Sequence, residues 1–190
     1  MVLYEPFGGL CAGLEMLLRN GVKVHNCYYS DIDNDARKVA EYRVQALGDL
    51  YPVLLGEASV ADMFALPQDV FAVSSSDLAR EASRSEWPWL VVAGFACQDL
   101  SSAGEGAGLA GNRSNTWFAL HRILHDLHSI LPPERMAYIV ENTPLQYNWK
   151  HPGVRSGDFD IICMVSATLH AWMQHASGRM RTGSGILGPT

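Results

Sequence analysis

Short apolar runs alternate with helical patterns along most of this chain, and that alternation limits its fold more than any other feature. "VLYEPF" closes at Gly8-Gly9 and leads into "CAGLEMLLRNG", with Leu14, Leu17 and Leu18 at helical spacing and Gly21 as a stop. "VKVHNCYYS" reads as the second strand. It leads into "DIDNDARKVAEYRVQAL", where Ala36, Val39, Ala40, Val44 and Leu47 share one side. "PVLLG" reads as a short third strand, and residues 58–66 as a helical turn. Residues 68–86, rich in Ser, Asp, Glu and Arg, read as a surface connection with one short helix. "WPWLVVAG" is the fourth strand, and a glycine- and serine-rich loop from Gln98 to Asn115 follows it. In "SNTWFALHRILHDLHSIL", Leu120, Leu124, Leu127 and Leu131 form one apolar stripe that Pro132-Pro133 ends. "MAYIV" is the fifth strand and "FDIICMV" extends the pattern to a sixth. Strands that are apolar throughout and joined by helices predict an α/β fold, with a mostly parallel sheet covered on both faces. Ligands in such sheets bind at the carboxyl ends of the strands. Those ends are "FGG", "SDID", "GEAS", "GFACQ" and "ENTP".

Composition narrows the function classes. The 190 residues suit one domain, and 48% hydrophobic against 18% charged residues excludes a disordered chain. A net charge of -6 argues against gripping nucleic acid by charge alone. Cys11, Cys27, Cys97 and Cys163 form no CxxC pair, which argues against zinc and against a disulfide framework and points to a reducing compartment. No apolar run approaches the roughly 20 residues of a membrane span. "MVLYEPFGG" lacks the basic start of a signal peptide, so an intracellular protein is expected. From Ser166 onward no periodicity is visible, which sets residues 1–165 as the core and 166–190 as an irregular tail.

Several residues at the strand ends could carry chemistry. A strand, two glycines and a helix suit a ligand that approaches the backbone, although the spacing is not GxGxxG. Asp31 at the second strand's end can hold the hydroxyls of a ribose. The alternative is a structural turn, with Asp31 or Asp33 capping the next helix. Cys97 enters the loop from a strand end, where a nucleophile has access, but a small buried residue would also fit there. Cys11, Cys27 and Cys163 read as core residues. Glu141, after "AYIV", could carry a proton to a ring nitrogen or cap a turn. His121, His125 and His128 lie at helical spacing with Arg122 and Asp126 among them, the pattern of a solvated face rather than a metal site.

Taken in order, these motifs resemble the C5-cytosine DNA methyltransferases. "VLYEPFGGLCAGLEML" is similar to the family's first motif, closest to its animal de novo subgroup. "YSDID" resembles the second, "GFACQDLS" the fourth, "GLAGNRSNTWF" the loop after it and "ENTP" the sixth. The likeness covers about residues 2 to 165, the N-terminal two-thirds of a catalytic domain. It implies a Rossmann-like fold binding S-adenosylmethionine, with Phe7, Gly9, Asp31, Ile32, Glu57, Ala96 and Thr116 around the cofactor. It implies Cys97 as the nucleophile on C6 of a flipped cytosine, Glu141 at N3 and Asn142 fixing the glutamate's loop. Gln98, Ser101 and Arg113 would contact DNA. Localisation would follow the DNA, in the nucleus of a eukaryote or the cytoplasm of a bacterium. The sequence departs from the family in three places. Ala96 replaces a proline, Glu57 replaces an aspartate, and the Gln-x-Arg-x-Arg motif has only a weak echo in "SGRMR". No part of these 190 residues is expected to form the family's target-recognition domain. Two other readings therefore stand beside DNA methylation. One is an inactive relative that regulates or scaffolds a full-length methyltransferase, and the other is an RNA cytosine-5 methyltransferase.

Overall fold

The computed structural model describes residues 1–55, 62–95 and 115–141. Among them four strands form one all-parallel sheet: β1 (Val2–Pro6), β2 (Asn26–Ser30), β3 (Trp89–Gly94) and β4 (Met136–Glu141). Their spatial order is β2-β1-β3-β4. The helices are α1 (Ala12–Arg19), α2 (Asn34–Leu50), α3 (Ser75–Ala82) and α4 (Thr116–Ile130). The β1–β2 register runs from Val2 opposite Asn26 to Pro6 opposite Ser30. The β3–β4 register runs from Trp89 opposite Met136 to Gly94 opposite Glu141. The expected α/β architecture, a parallel sheet with helices on both faces, is what the chain adopts.

Side chains alternate across a strand, so each strand feeds two cores. Leu3, Cys27, Tyr29 and Leu90 pack with Leu14, Leu17 and Leu18 of α1 and Ala40, Val44 and Leu47 of α2. Tyr4, Tyr28, Trp89 and Val91 pack with Leu78 and Ala82 of α3 and Leu120, Leu124 and Leu127 of α4. The leucine stripe of α4 is thus its inward face, each leucine contributing about 2 kcal/mol of burial. His121, His125 and His128 lie on its exposed side. No group of three His, Cys, Asp or Glu residues able to hold a metal occurs among the described residues. None of the described helices is long and apolar enough to cross a membrane.

Two expectations needed correction. The third strand shrinks to one isolated parallel bridge between Val24 and Leu55. The chain instead turns at residues 52–54, and the amides of Leu54 and Leu55 both donate to Tyr51 O. β2 accordingly starts only at Asn26. The connection over 68–86 is less superficial than its charge suggests, because Val70, Val73, Leu78, Glu81 and Ala82 are buried. Arg122 of α4 donates to the carbonyls of Val70, Phe71 and Val73, which fastens that turn to the second core. α3 is started by a capping box, with the Ser74 hydroxyl accepting from Asp77 N and the Asp77 carboxylate accepting from Ser74 N. "FDIICMV", the 165/166 boundary and the tail lie outside the described residues.

Candidate functional site

The strand order sets where a site can form. The chain leaves β1 for β2 on one side, and β3 then pairs with β1 on the other. The direction of winding reverses between β1 and β3, and the crevice at their carboxyl ends is where open parallel sheets bind ligands.

The turn after β1 is strained and held in place from β2. Phe7 has φ 60°, Gly9 φ 50° and Cys11 φ 54°, three left-handed residues within five. For the two that are not glycine this costs about 1–2 kcal/mol each. Gly8 N donates to Ser30 O at 3.2 Å, and Cys11 N to Gly8 O at 2.8 Å. The Tyr29 hydroxyl donates to Gly9 O at 3.0 Å. Gly8 lies flat against the Tyr29 ring, since a Cβ there would sit 2.4 Å from two ring carbons. Phe7 packs partly buried against the core of α3 and α4.

Asp31 ties the turn to β2. Its Oδ2 accepts from Gly9 N at 3.1 Å, and its Oδ1 accepts from Asp33 N at 2.9 Å. It is not the cap of α2. Asp33 has that role, accepting from the amides of Asp35 and Ala36. Each Asp31 oxygen keeps accepting capacity, so the carboxylate can receive a pair of neighbouring hydroxyls. Ile32, directly after it, is 73% exposed.

Glu5 belongs to this site and was read in the sequence only as part of a strand. It is 3% exposed. Its Oε1 accepts from Gly13 N at 2.8 Å and its Oε2 from Leu14 N at 3.3 Å, so it caps α1 from inside the sheet. Burial pushes its carboxyl up to about 7, against the pull of those two amides and the Arg43 charge. A glutamate in an apolar run just before a glycine turn was the available signal. Burial also pushes the Cys11 and Cys27 thiols up, with Glu5 adding to both, so neither is a ready thiolate. Both are core residues, as expected.

The other side of the crevice is made by β3 and β4. Gly94 pairs with Glu141. A Cβ on Gly94 would sit 3.3 Å from Glu141 Oε2, so the glycine leaves the carboxylate room at the strand end. Glu141 is the last residue of β4 and is exposed. Phe95, buried, packs against Trp117 with ring centroids 5.2 Å apart, which joins the end of β3 to the start of α4. Thr116, half-buried, opens that helix. The structure thus brings Phe7, Gly9, Asp31, Ile32 and Glu141 to the carboxyl end of one sheet. Glu57, Ala96, Cys97, Gln98, Ser101, Arg113 and Asn142 lie outside the described residues.

Set against known proteins, the chain matches no family model and no curated protein. The chemical capacity of the site therefore rests on its own residues: a carboxylate suited to vicinal hydroxyls at the end of β2 and, among the described residues, an exposed carboxylate at the end of β4.

Proposed function

We propose that this protein transfers a methyl group from S-adenosylmethionine to C5 of cytosine in DNA, using Cys97 as nucleophile. The observation that carries the reading is the pairing of Gly94 with Glu141 beside the Asp31-held turn, at the reversal point of the sheet. It supports two half-sites opening on one crevice, one for a nucleoside cofactor and one for a base.

The residues fit such a cofactor. Asp31 can accept both ribose hydroxyls, and Ile32 offers an exposed apolar side chain to an adenine face. Phe7, Gly9, Glu57, Ala96 and Thr116 complete the set that the resemblance assigns. When bound, the cofactor supplies an electrophilic methyl group. Cytosine C5 is a poor nucleophile until a thiolate adds at C6. The Cys97 sulfur forms that bond and shifts an electron pair toward C5. Glu141 holds N3 and the exocyclic amine and gives N3 a proton, which stabilises the electron-rich ring. When C5 takes the methyl group, the bond from that carbon to the cofactor's sulfonium sulfur would break and leave the neutral thioether. The C5 proton then leaves to solvent, and N3 returns its proton to Glu141. The C5–C6 double bond re-forms, and the C6–S pair returns to Cys97. Asn142 holds the glutamate's loop, while Gln98, Ser101 and Arg113 contact the flipped nucleotide and its phosphates. Such a protein works where its DNA is, in a nucleus or in a bacterial cytoplasm.

The test is label transfer from methyl-labelled S-adenosylmethionine to unmethylated duplex DNA, with Cys97→Ser beside the parent. Transfer by the parent and none by the variant is expected. Label transfer that survives Cys97→Ser removes Cys97 as nucleophile. Cofactor binding without transfer replaces the enzyme with a regulatory relative that assists a full-length methyltransferase. Transfer to RNA alone changes the substrate.

A further inference from the structure

The amino end of a helix that follows a glycine turn is an anion site, because its first amides have no intrahelical acceptor and the helix dipole adds positive potential. Proteins that bind nucleotide phosphates after a first strand use this position. Here it is already filled. The amides of Gly13 and Leu14, at the start of α1, both donate to Glu5. Gly13 is required for the fit, since a Cβ there would sit 2.7 Å from Glu5 Oε1 and 3.1 Å from Val92. Cys11, the residue before α1, makes no side-chain cap of its own. The carboxylate therefore replaces both the usual cap and any incoming anion.

We propose that Glu5 is a specificity-determining residue that excludes phosphate-bearing cofactors from the turn and admits nucleosides whose 5′ group is neutral or cationic. The inference rests on the nucleoside-cofactor reading above and narrows it. A diphosphate on this turn would meet helix amides already donating to Glu5, with the Glu5 charge directly behind them. A sulfonium or thioether at the 5′ position meets no such repulsion. Among the described residues, the charged and titratable groups facing Glu5 are Arg43 from α2, Cys11 from the turn, and Cys27 and Tyr29 from β2. Val92 of β3 contributes an apolar wall beside Gly13. Arg43 is itself ion-paired with Glu15, which limits how far it can neutralise Glu5.

The experiment compares adenosine, ADP-ribose and S-adenosylmethionine by calorimetric titration of the full chain at pH 8 and pH 6. ADP-ribose carries the same adenosine with a diphosphate diester that does not titrate between those values. At pH 8 the parent is expected to prefer adenosine over ADP-ribose by about tenfold or more. Glu5→Gln, with its fold checked by circular dichroism, is expected to bring the two ligands within about threefold. If that variant does not fold, the parent decides. Its preference shrinks at pH 6, where Glu5 holds a proton. Equal binding of the two ligands by the parent at pH 8 overturns the inference alone, as does a folded Glu5→Gln that keeps the full preference. A preference that does not change with pH in the parent also overturns it. Failure of both adenosine and S-adenosylmethionine to bind overturns the cofactor reading and this inference with it.

Discussion

Gly8 and Tyr29 define how tightly the turn is built. A methyl group on Gly8 has no space, because the ring beneath it is pinned on its other side by the core of α1 and α2. Gly8→Ala is expected to cost about 2 kcal/mol or more in urea unfolding and to weaken cofactor binding with it. Tyr29→Phe keeps the ring and loses only the bond to Gly9 O. Its cost should be about 1 kcal/mol. Glu5 makes a prediction of opposite character. Its carboxyl lies at about 7 in the fold against an ordinary 4.5. Between those values the folded chain keeps a proton that the unfolded chain releases. The stability from Glu5 is therefore complete below about pH 4.5 and is lost as pH rises through about 7, on the order of 3 kcal/mol. Chemical denaturation of the parent from pH 4.5 to 8 should show that decline, and Glu5→Gln should flatten it. Asp31 and Glu141 were legible because polar residues that end apolar runs stand out. Tyr29 was not, since it sits inside such a run, and for Glu5 the charge inside the run was visible while only the folded register shows that it meets the amides of Gly13 and Leu14.

The secondary elements read well where their periodicity was long. The leucine stripe from Leu120 to Leu131 spans about three turns and maps onto the buried face of α4 without a shift. "PVLLG" failed as a strand because five residues cannot distinguish a strand from a turn, and the backbone at Tyr51 spends its carbonyl on the turn. The segment around α3 misled for a different reason. Its charges looked like solvated surface, yet Glu81 is buried with all its partners supplied. The Tyr28 hydroxyl donates to it at 3.0 Å, Arg80 at 2.9 Å and Arg84 at 3.0 Å. Charge in a sequence does not distinguish an exposed carboxylate from one whose cations come from its own helix and the turn just after it and whose hydroxyl comes from a strand 53 residues away. α3 is short, so its start matters. Ser74→Ala removes the acceptor for Asp77 N and is expected to cost about 1 kcal/mol. A thermal melt checks that value. Because α3 covers Tyr28 and Trp89, the melt should stay a single transition at lower temperature.

At the scale of the molecule, the proposed function sets two half-sites on one sheet, one for the cofactor and one for the base. The cofactor side hangs on β1, β2, α1 and α2 and their shared core. The base side hangs on β3, β4 and α4. The two sides are joined by the pairing of β1 with β3, Val2 to Tyr4 against Trp89 to Val91, and by both cores, since Tyr4 and Tyr28 pack with α4 while Leu90 and Ala137 pack with α1 and α2. The β1–β3 register ends at Tyr4 and Val91, so a substitution at the end of β3 can act without touching the turn after β1. Gly94→Ala places a methyl group against the Glu141 carboxylate without touching Asp31 or the turn. Asp31→Asn keeps an acceptor for one backbone amide but loses the charge that a ribose diol would meet. The two substitutions should therefore separate. Asp31→Asn is expected to weaken S-adenosylmethionine binding about tenfold or more and to remove about half or more of the ligand-induced rise in melting temperature, a rise worth about 2.7 kcal/mol at a hundredfold excess over Kd. Gly94→Ala should keep that rise in full while methyl transfer falls about tenfold or more, because a displaced Glu141 no longer meets N3. Ligand-shifted melts and label transfer on the same preparations read both quantities. If the two variants lose binding and transfer together, the half-sites are one unit and the role given to Glu141 at the end of β4 fails.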